Sequence, residues 1–151
     1  MYCRDYMRSA PVTVSADATI GDAIKTMIQE GQQHVMVVEG DGRFVGEIDA
    51  HQLAKVLAPA AVGSDLVIRR AVSSEASAAE NADEVKARLS KHIERKVREF
   101  AQHDLAIVGP DLPIGDVIML LRGGSERMPV VENGKLVGTI SMLSILERFH
   151  A

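Results

Sequence analysis

"RMPVVENGKLVGTISMLSIL", Arg127 to Leu146, repeats in outline an earlier stretch, "HVMVVEGDGRFVGEIDAHQL", His34 to Leu53. Both carry a valine pair, an acidic residue, a glycine-bearing turn, a second apolar run with an internal glycine, and a helix-like tail. The match extends upstream. "VSADATIGD" (Val14 to Asp22) aligns with "VGPDLPIGD" (Val108 to Asp116), sharing Val, Asp, Ile, Gly and Asp at an offset of 94. "CRDY" (Cys3 to Tyr6) falls on "VREF" (Val97 to Phe100) at the same offset, and Gly46 falls on Gly138 at 92. The lost residues lie at turns, where a preserved core tolerates deletion. The chain is a duplication, and the repeat is the first thing to settle about its fold.

Each copy reads as strand, helix, strand, strand, helix. In the first, Val12 to Val14 is extended, and a helix opens at Asp17 or Thr19 and runs to about Glu30. Its apolar face is Ile20, Ala23, Ile24, Met27 and Ile28. The unbroken apolar run Val35 to Val38 suits a strand covered on both faces. Asp41-Gly42 marks a hairpin turn, Phe44 to Ile48 is the returning strand, and a helix begins near Asp49. The second copy gives a helix from Pro113 to Arg122, strands Pro129 to Val131 and Leu136 to Ile140 around Asn133-Gly134, and a helix from Ser141 to Phe149. A unit of this size buries too little surface to stand alone. The two copies are therefore expected to pack about a pseudo-two-fold axis that leaves paired clefts.

The domain reading is residues 1–58 for repeat 1, 59–96 for a join, and 97–151 for repeat 2. "APAAVGSD" and "LVIRRAVSS" open the join. Beyond them Val85, Leu89, Ile93, Val97 and Phe100 form a stripe that predicts an amphipathic helix over about 79–102. Glu84/Arg88 and Glu94/Arg98 would be its i,i+4 ion pairs. The stripe reads either as a connector lying on the body or as a partner-binding face.

Composition narrows the function. At 46% apolar and 25% charged, the 151 residues can build a core and do not read as disordered. Aromatics at 3%, with no Trp, leave little for stacking on single-stranded nucleic acid, and a net charge of -4 gives nucleic acid or anionic lipid no attraction. No apolar run approaches a membrane span, and the N-terminus has no secretory h-region. The single Cys3 cannot form an internal disulfide. The expectation is a cytoplasmic protein without nucleic-acid or membrane partners. The glycines form no phosphate loop, the dispersed histidines match no zinc spacing, and no nucleophile elbow occurs. No catalytic residue and no metal ligand is assigned, although His34 and His51 lie close enough in copy one to approach each other.

The order of these motifs, occurring twice, resembles a tandem pair of cystathionine-beta-synthase (CBS) domains. "APVTVSADATIGDA" with "HVMVVEGDGRFVGEID" matches one unit of the family pattern, and "LAIVGPDLPIGDV" with "RMPVVENGKLVGTIS" the other. The resemblance implies an α+β fold of two intertwined β-α-β-β-α units joined by a long helical linker. It implies a sensor rather than an enzyme, requiring no cofactor, whose clefts take an adenosine-containing ligand: AMP, ADP, ATP or S-adenosylmethionine. It also implies a homodimer through helices that acts on an unknown effector protein. The family signature is Gly, an apolar residue, any residue, Ser/Thr, two residues, then Asp. In it the hydroxyl and helix start hold phosphate and the Asp holds ribose.

In copy two, Ser141 matches the hydroxyl and Ser144 stands at the Asp position. In copy one they are Asp49 and Gln52. Asp49 would oppose a phosphate, so the cleft of repeat 2 is the better candidate. By position the adenine contacts there would be Ala106, Ile107, Met128 and Pro129, and in copy one Val12, Thr13, Val35 and Met36. Arg127 and Lys135 would add positive charge. The same residues also read as helix caps and core, which gives the alternative of a degenerate structural or interaction module.

Overall fold

A computed structural model describes residues 1–58 and 81–150. Repeat 1 contains β1 (Thr13–Ser15), α1 (Ile20–Glu30), β2 (His34–Val38), β3 (Phe44–Asp49) and α2 (Ala50–Leu57). β1 runs parallel to β2, which pairs antiparallel with β3, so β2 is central. That position explains its valines: Val35, Met36 and Val37 are all buried. Thr19 caps α1, accepting from the Asp22 N–H while Asp22 accepts from the Thr19 N–H. Gly31 ends it in the left-handed conformation, φ 61°, which glycine adopts without a Cβ penalty. Ile20, Ala23 and Met27 face the core as the periodicity predicts, whereas Ile28 is 75% exposed.

After α3 (Ala82–Ser90), repeat 2 supplies α4 (Ile114–Arg122), β4 (Arg127–Glu132), β5 (Lys135–Ser141) and α5 (Met142–His150). Asn133 (φ 54°) and Gly134 (φ 80°) make the β4–β5 turn, the pair of positive φ values a tight hairpin turn requires. The first strand of this copy shrinks to one parallel bridge, Val108 to Val130. The cause is Pro129. At its counterpart the Met36 N–H donates to the Val12 carbonyl at 3.0 Å, and a proline has no N–H to give.

The repeats exchange their first segments. The one-turn helix Cys3–Asp5 sits in the core of repeat 2, with Cys3 and Tyr6 buried beside Val117, Met128, Ile140 and Ile145. Its counterpart Val97–Glu99 sits in the core of repeat 1, where Val97 and Ala101 pack with Ile20, Val35 and Ile48. The exchanged hydrogen bonds repeat about the pseudo-dyad. The Cys3 and Arg4 N–H groups donate to Leu112 and Pro110, while those of Val97 and Arg98 donate to Ala18 and Ala16. The hairpin tips also exchange bonds, Phe44 N–H to Gly134 and Leu136 N–H to Gly42.

Gly46 and Gly138, which correspond in the two copies, stand where the exchanged chain crosses the returning strand. A Cβ on Gly46 would lie 2.4 Å from the Gln102 carbonyl oxygen, and one on Gly138 would lie 2.6 Å from that of Arg8.

This exchange corrects the long helix. Residues 79–80 of that expectation, with "APAAVGSD" from Pro59 onward and "LVIRRAVSS", fall outside the described residues. Within them the helix stops at Ser90 instead of continuing to 102. The chain beyond is bonded to repeat 1, with the Gly21 N–H donating to Ile93 and the Ile20 N–H to Arg95. Val97 is pulled fully into the core, which outweighs local helix propensity. Arg98 consequently pairs with Glu39 at 2.5 Å and Asp17 at 3.2 Å rather than with Glu94.

Candidate functional site

A cleft of about 500 Å³ opens where the two repeats meet, within the size range of small-molecule sites. Repeat 1 lines it with Gln33 and His34 at the start of β2, Glu47 and Asp49 on β3, and His51 on α2. Repeat 2 contributes Asp104, Leu105 and Ala106 before its bridge strand, and Gly124 to Arg127 before β4. Strand geometry places three of these side chains together. His34 is directly opposite Asp49 in the β2–β3 register, and Glu47, two residues before Asp49, shares its face. Donor atoms of all three lie within 4.8 Å of one another.

His34 Nδ1 is 2.5 Å from Glu47 Oε1, and its Nε2 is 3.1 Å from Oε2 of Glu126 on the other repeat. Glu47 is only 6% exposed. Burial holds its carboxyl above the ordinary carboxylate range, against the downward pull of the His34 contact and charge, with Asp49 adding to the rise. Carboxylates at Glu47, Asp49, Asp104 and Glu126 face one arginine, Arg127, in this lining.

The pseudo-symmetric positions in repeat 2 are Arg127, Thr139 and Ser141, with Arg127 opposite Ser141 as His34 is opposite Asp49. The hollow beside them, lined by Arg8, Ala10, Pro11, Val12, Gln32, Arg127 and Thr139, has a volume of about 60 Å³. That is far below what a nucleoside needs. Arg127 reaches across to Gln32 at 3.2 Å, and the Met7 side chain sits against Gly138. By volume, the larger opening is therefore the one beside Asp49 rather than the one beside Thr139.

The residues singled out by sequence fall in different places. Ala106 and Asp49 line the large cleft together, so Ala106 keeps company with repeat 1 rather than with Ser141. Val12 lines the small hollow. Val35, Met36, Met128 and Pro129 are core, while Thr13 and Ile107 are exposed. Ser141 and Ser144 are committed to the start of α5: each hydroxyl accepts from the other's N–H, and the Ser144 hydroxyl donates to the Ser141 carbonyl at 2.9 Å. Asp49 and Gln52 close the same box on α2, and the Gln52 amide N–H donates to the Phe100 carbonyl. Lys135 stands in the hairpin bridge to Arg43.

The sequence profile of the CBS domain matches twice, over residues 3–59 and 97–151. The chain belongs to the CBS-domain family. Over 95% of its length it is 21% identical to an A-adding tRNA nucleotidyltransferase of Aquifex aeolicus, spanning 14% of that protein. Over 94% it is 28% identical to an uncharacterized protein of Methanocaldococcus jannaschii, spanning 42% of it. Among solved structures, a CBS domain-containing protein of unknown function from Bacillus anthracis superposes with a TM-score of 0.75 at 12% identity, covering 99% of this chain and 93% of that one. The CBS domain pair of protein MJ0100, solved with 5-methylthioadenosine and S-adenosyl-L-methionine, gives 0.65 at 18% identity, with 99% and 96% covered. CBSX2 in complex with AMP gives 0.69 at 16%, with 99% and 96% covered. These likenesses carry the fold.

As a CBS pair, the chain departs from the family signature in an orderly way. The positions of the phosphate hydroxyl and the ribose Asp act in both repeats as the two halves of a helix cap. Sequence reasoning placed His34 only with His51 and did not single out Glu47. The signal was present in the hairpin: its register puts His34 opposite Asp49, and the strand period of two adds Glu47. Among the described residues no helix is long and apolar enough to cross a membrane.

Proposed function

We propose that this CBS pair is a ligand-responsive regulatory module without catalytic activity of its own, and that its larger cleft takes an adenosyl compound. The observation that carries the reading is the 500 Å³ polar cleft between repeats, large enough for such a ligand while its counterpart is not. The ligands of the two related CBS structures, 5-methylthioadenosine with S-adenosylmethionine and AMP, support the adenosyl class. The charge of the cleft refines the choice. Asp49 at the start of α2, with Glu47, Asp104 and Glu126 around it, opposes a phosphate and favours the cationic sulfonium and ammonium of S-adenosylmethionine. AMP, ADP and ATP rank below it in that order.

The module pairs with a second copy through helices and acts on a separate effector protein. The exposed Leu143, Leu146 and Phe149 of α5 and Met119 and Leu120 of α4 support that arrangement.

Thermal-shift titration in EDTA, confirmed by calorimetry, tests the ligand. A saturable rise with S-adenosylmethionine, about 2.7 kcal/mol at a hundredfold excess over Kd, exceeding that with ATP or a guanosine control, is expected. A flat response to the whole set at millimolar concentration refutes it. The interaction-module reading would then stand, favoured already for repeat 2 by its closed hollow and its Ser141–Ser144 cap.

A further inference from the structure

We propose that His34, Glu47 and Asp49 form a binding site for one divalent transition-metal ion of the zinc class, with Glu126 of the other repeat orienting the histidine. The three side chains stand on one rigid hairpin face, with donor atoms within 4.8 Å of one another. A tetrahedral ion with bonds of about 2.0–2.1 Å separates its ligands by roughly 3.3 Å, so rotamer adjustments on a fixed backbone, widening the 2.5 Å His34–Glu47 contact and drawing in the longer separations, reach that spacing.

Two observations beyond the clustering point to a cation. Glu47 is nine-tenths buried yet lines the cleft, and only its Oε1 is engaged. No donor among the described residues meets Oε2. Asp49 likewise spends Oδ1 on the Gln52 N–H and leaves Oδ2 without a donor among the described residues. No side-chain polar atom among the described residues is both buried and unpartnered, so these open carboxylate oxygens are reached from the cleft, where a cation can meet them.

The second observation is the arrangement around the imidazole. His34 Nδ1 lies 2.5 Å from Glu47 Oε1, a contact holding a proton where a metal ion would replace it. Nε2 faces Glu126 Oε2 at 3.1 Å. A metal-binding histidine usually donates its second N–H to a carboxylate, which fixes ring and tautomer. Here that carboxylate comes from the other repeat, so an ion on Nδ1 ties the loop before β4 to the β2–β3 hairpin. One imidazole among oxygens favours zinc, nickel or cobalt over magnesium or calcium. The equivalent triad in repeat 2, Arg127, Thr139 and Ser141, offers no such donors, which sets the stoichiometry at one per chain.

This inference does not rest on the adenosyl reading, and its test contains no nucleotide. The full chain, stripped with EDTA and dialysed, is titrated calorimetrically with Zn²⁺ at pH 7.5, with Mg²⁺ as control. Visible absorption with Co²⁺ reports the coordination. One ion per chain is expected, with affinity lowered at least a hundredfold in His34→Gln and Asp49→Asn. Glu126→Gln alters a side chain that is 82% exposed, so its fold is safe, and the loss of its orienting carboxylate is expected to weaken binding about tenfold to a hundredfold. Circular dichroism verifies that each variant is folded. Zinc binding that is absent, or unchanged in His34→Gln and lost instead on replacing the exposed His103 and His150, overturns the proposal.

Discussion

Replacing Gly46 by alanine tests the exchange of segments that makes the two repeats one body. The new methyl carbon would lie 2.4 Å from the Gln102 carbonyl oxygen and 3.2 Å from its carbon. Ordinary contact begins near 3.4 Å, so the crossing strand must retreat by about 1 Å. Gln102 is not free to do so. Its carbonyl accepts from the Glu47 N–H at 3.0 Å, and its own N–H donates to the Glu47 carbonyl at 2.7 Å.

A 1 Å retreat stretches both bonds past useful length, at about 1 kcal/mol each. Overpacking a filled site adds about 1–3 kcal/mol. The expected loss is about 3–5 kcal/mol, a large share of the roughly 5–15 kcal/mol that holds a domain together. Urea unfolding followed by circular dichroism reads it. At an m-value near 2 kcal/mol/M, the midpoint falls by roughly 2 M with the slope unchanged. Gly109→Ala, where a Cβ meets nothing within 4 Å, is the control. A Gly46→Ala midpoint within about 0.5 kcal/mol of the parent would mean that the segment Val97 to Gln102 does not cross repeat 1 as described.

Gly138→Ala, facing the Arg8 carbonyl oxygen at 2.6 Å, should lose a similar but smaller amount in the same assay. Glu47→Gln should stabilise at pH 7.5 and be neutral at pH 4. A carboxyl raised by burial supports the fold fully below its unfolded value, about 4.3, and that support is lost as pH rises through its folded value. Paired denaturant melts at the two pH values check the sign, and a variant less stable than the parent at pH 7.5 alone contradicts it. Leu146→Glu, which charges the exposed apolar face of α5, should convert a dimer to a monomer of unchanged stability in analytical ultracentrifugation. An unaltered dimer would move the interface elsewhere.

The duplicated pattern was enough to write down the fold, because its signals are local. Thr19, Asp49 and Ser141 start helices through their own side chains. Asn133-Gly134 makes a turn through its own backbone, and the valine runs declare a covered strand wherever they occur. The helix from Ala82 illustrates the opposite case. Its stripe was genuine, yet it ends at Ser90 because Val97 gains more from the core of repeat 1 than from another helical turn. Nothing within that segment records the existence of a pocket for Val97.

The candidate site divides along the same line. By itself, the sequence determined that there are two copies and which residues cap their helices. Tertiary structure alone decided that the clefts are unequal, about 500 against 60 Å³, because volume depends on how Arg127 and Met7 settle against the opposite repeat. It alone brought Glu126 to His34 and set Ala106 beside Asp49. Caps and turns are written within a few residues of chain, whereas a cleft between exchanged segments belongs to residues about ninety positions apart, and only packing brings them together.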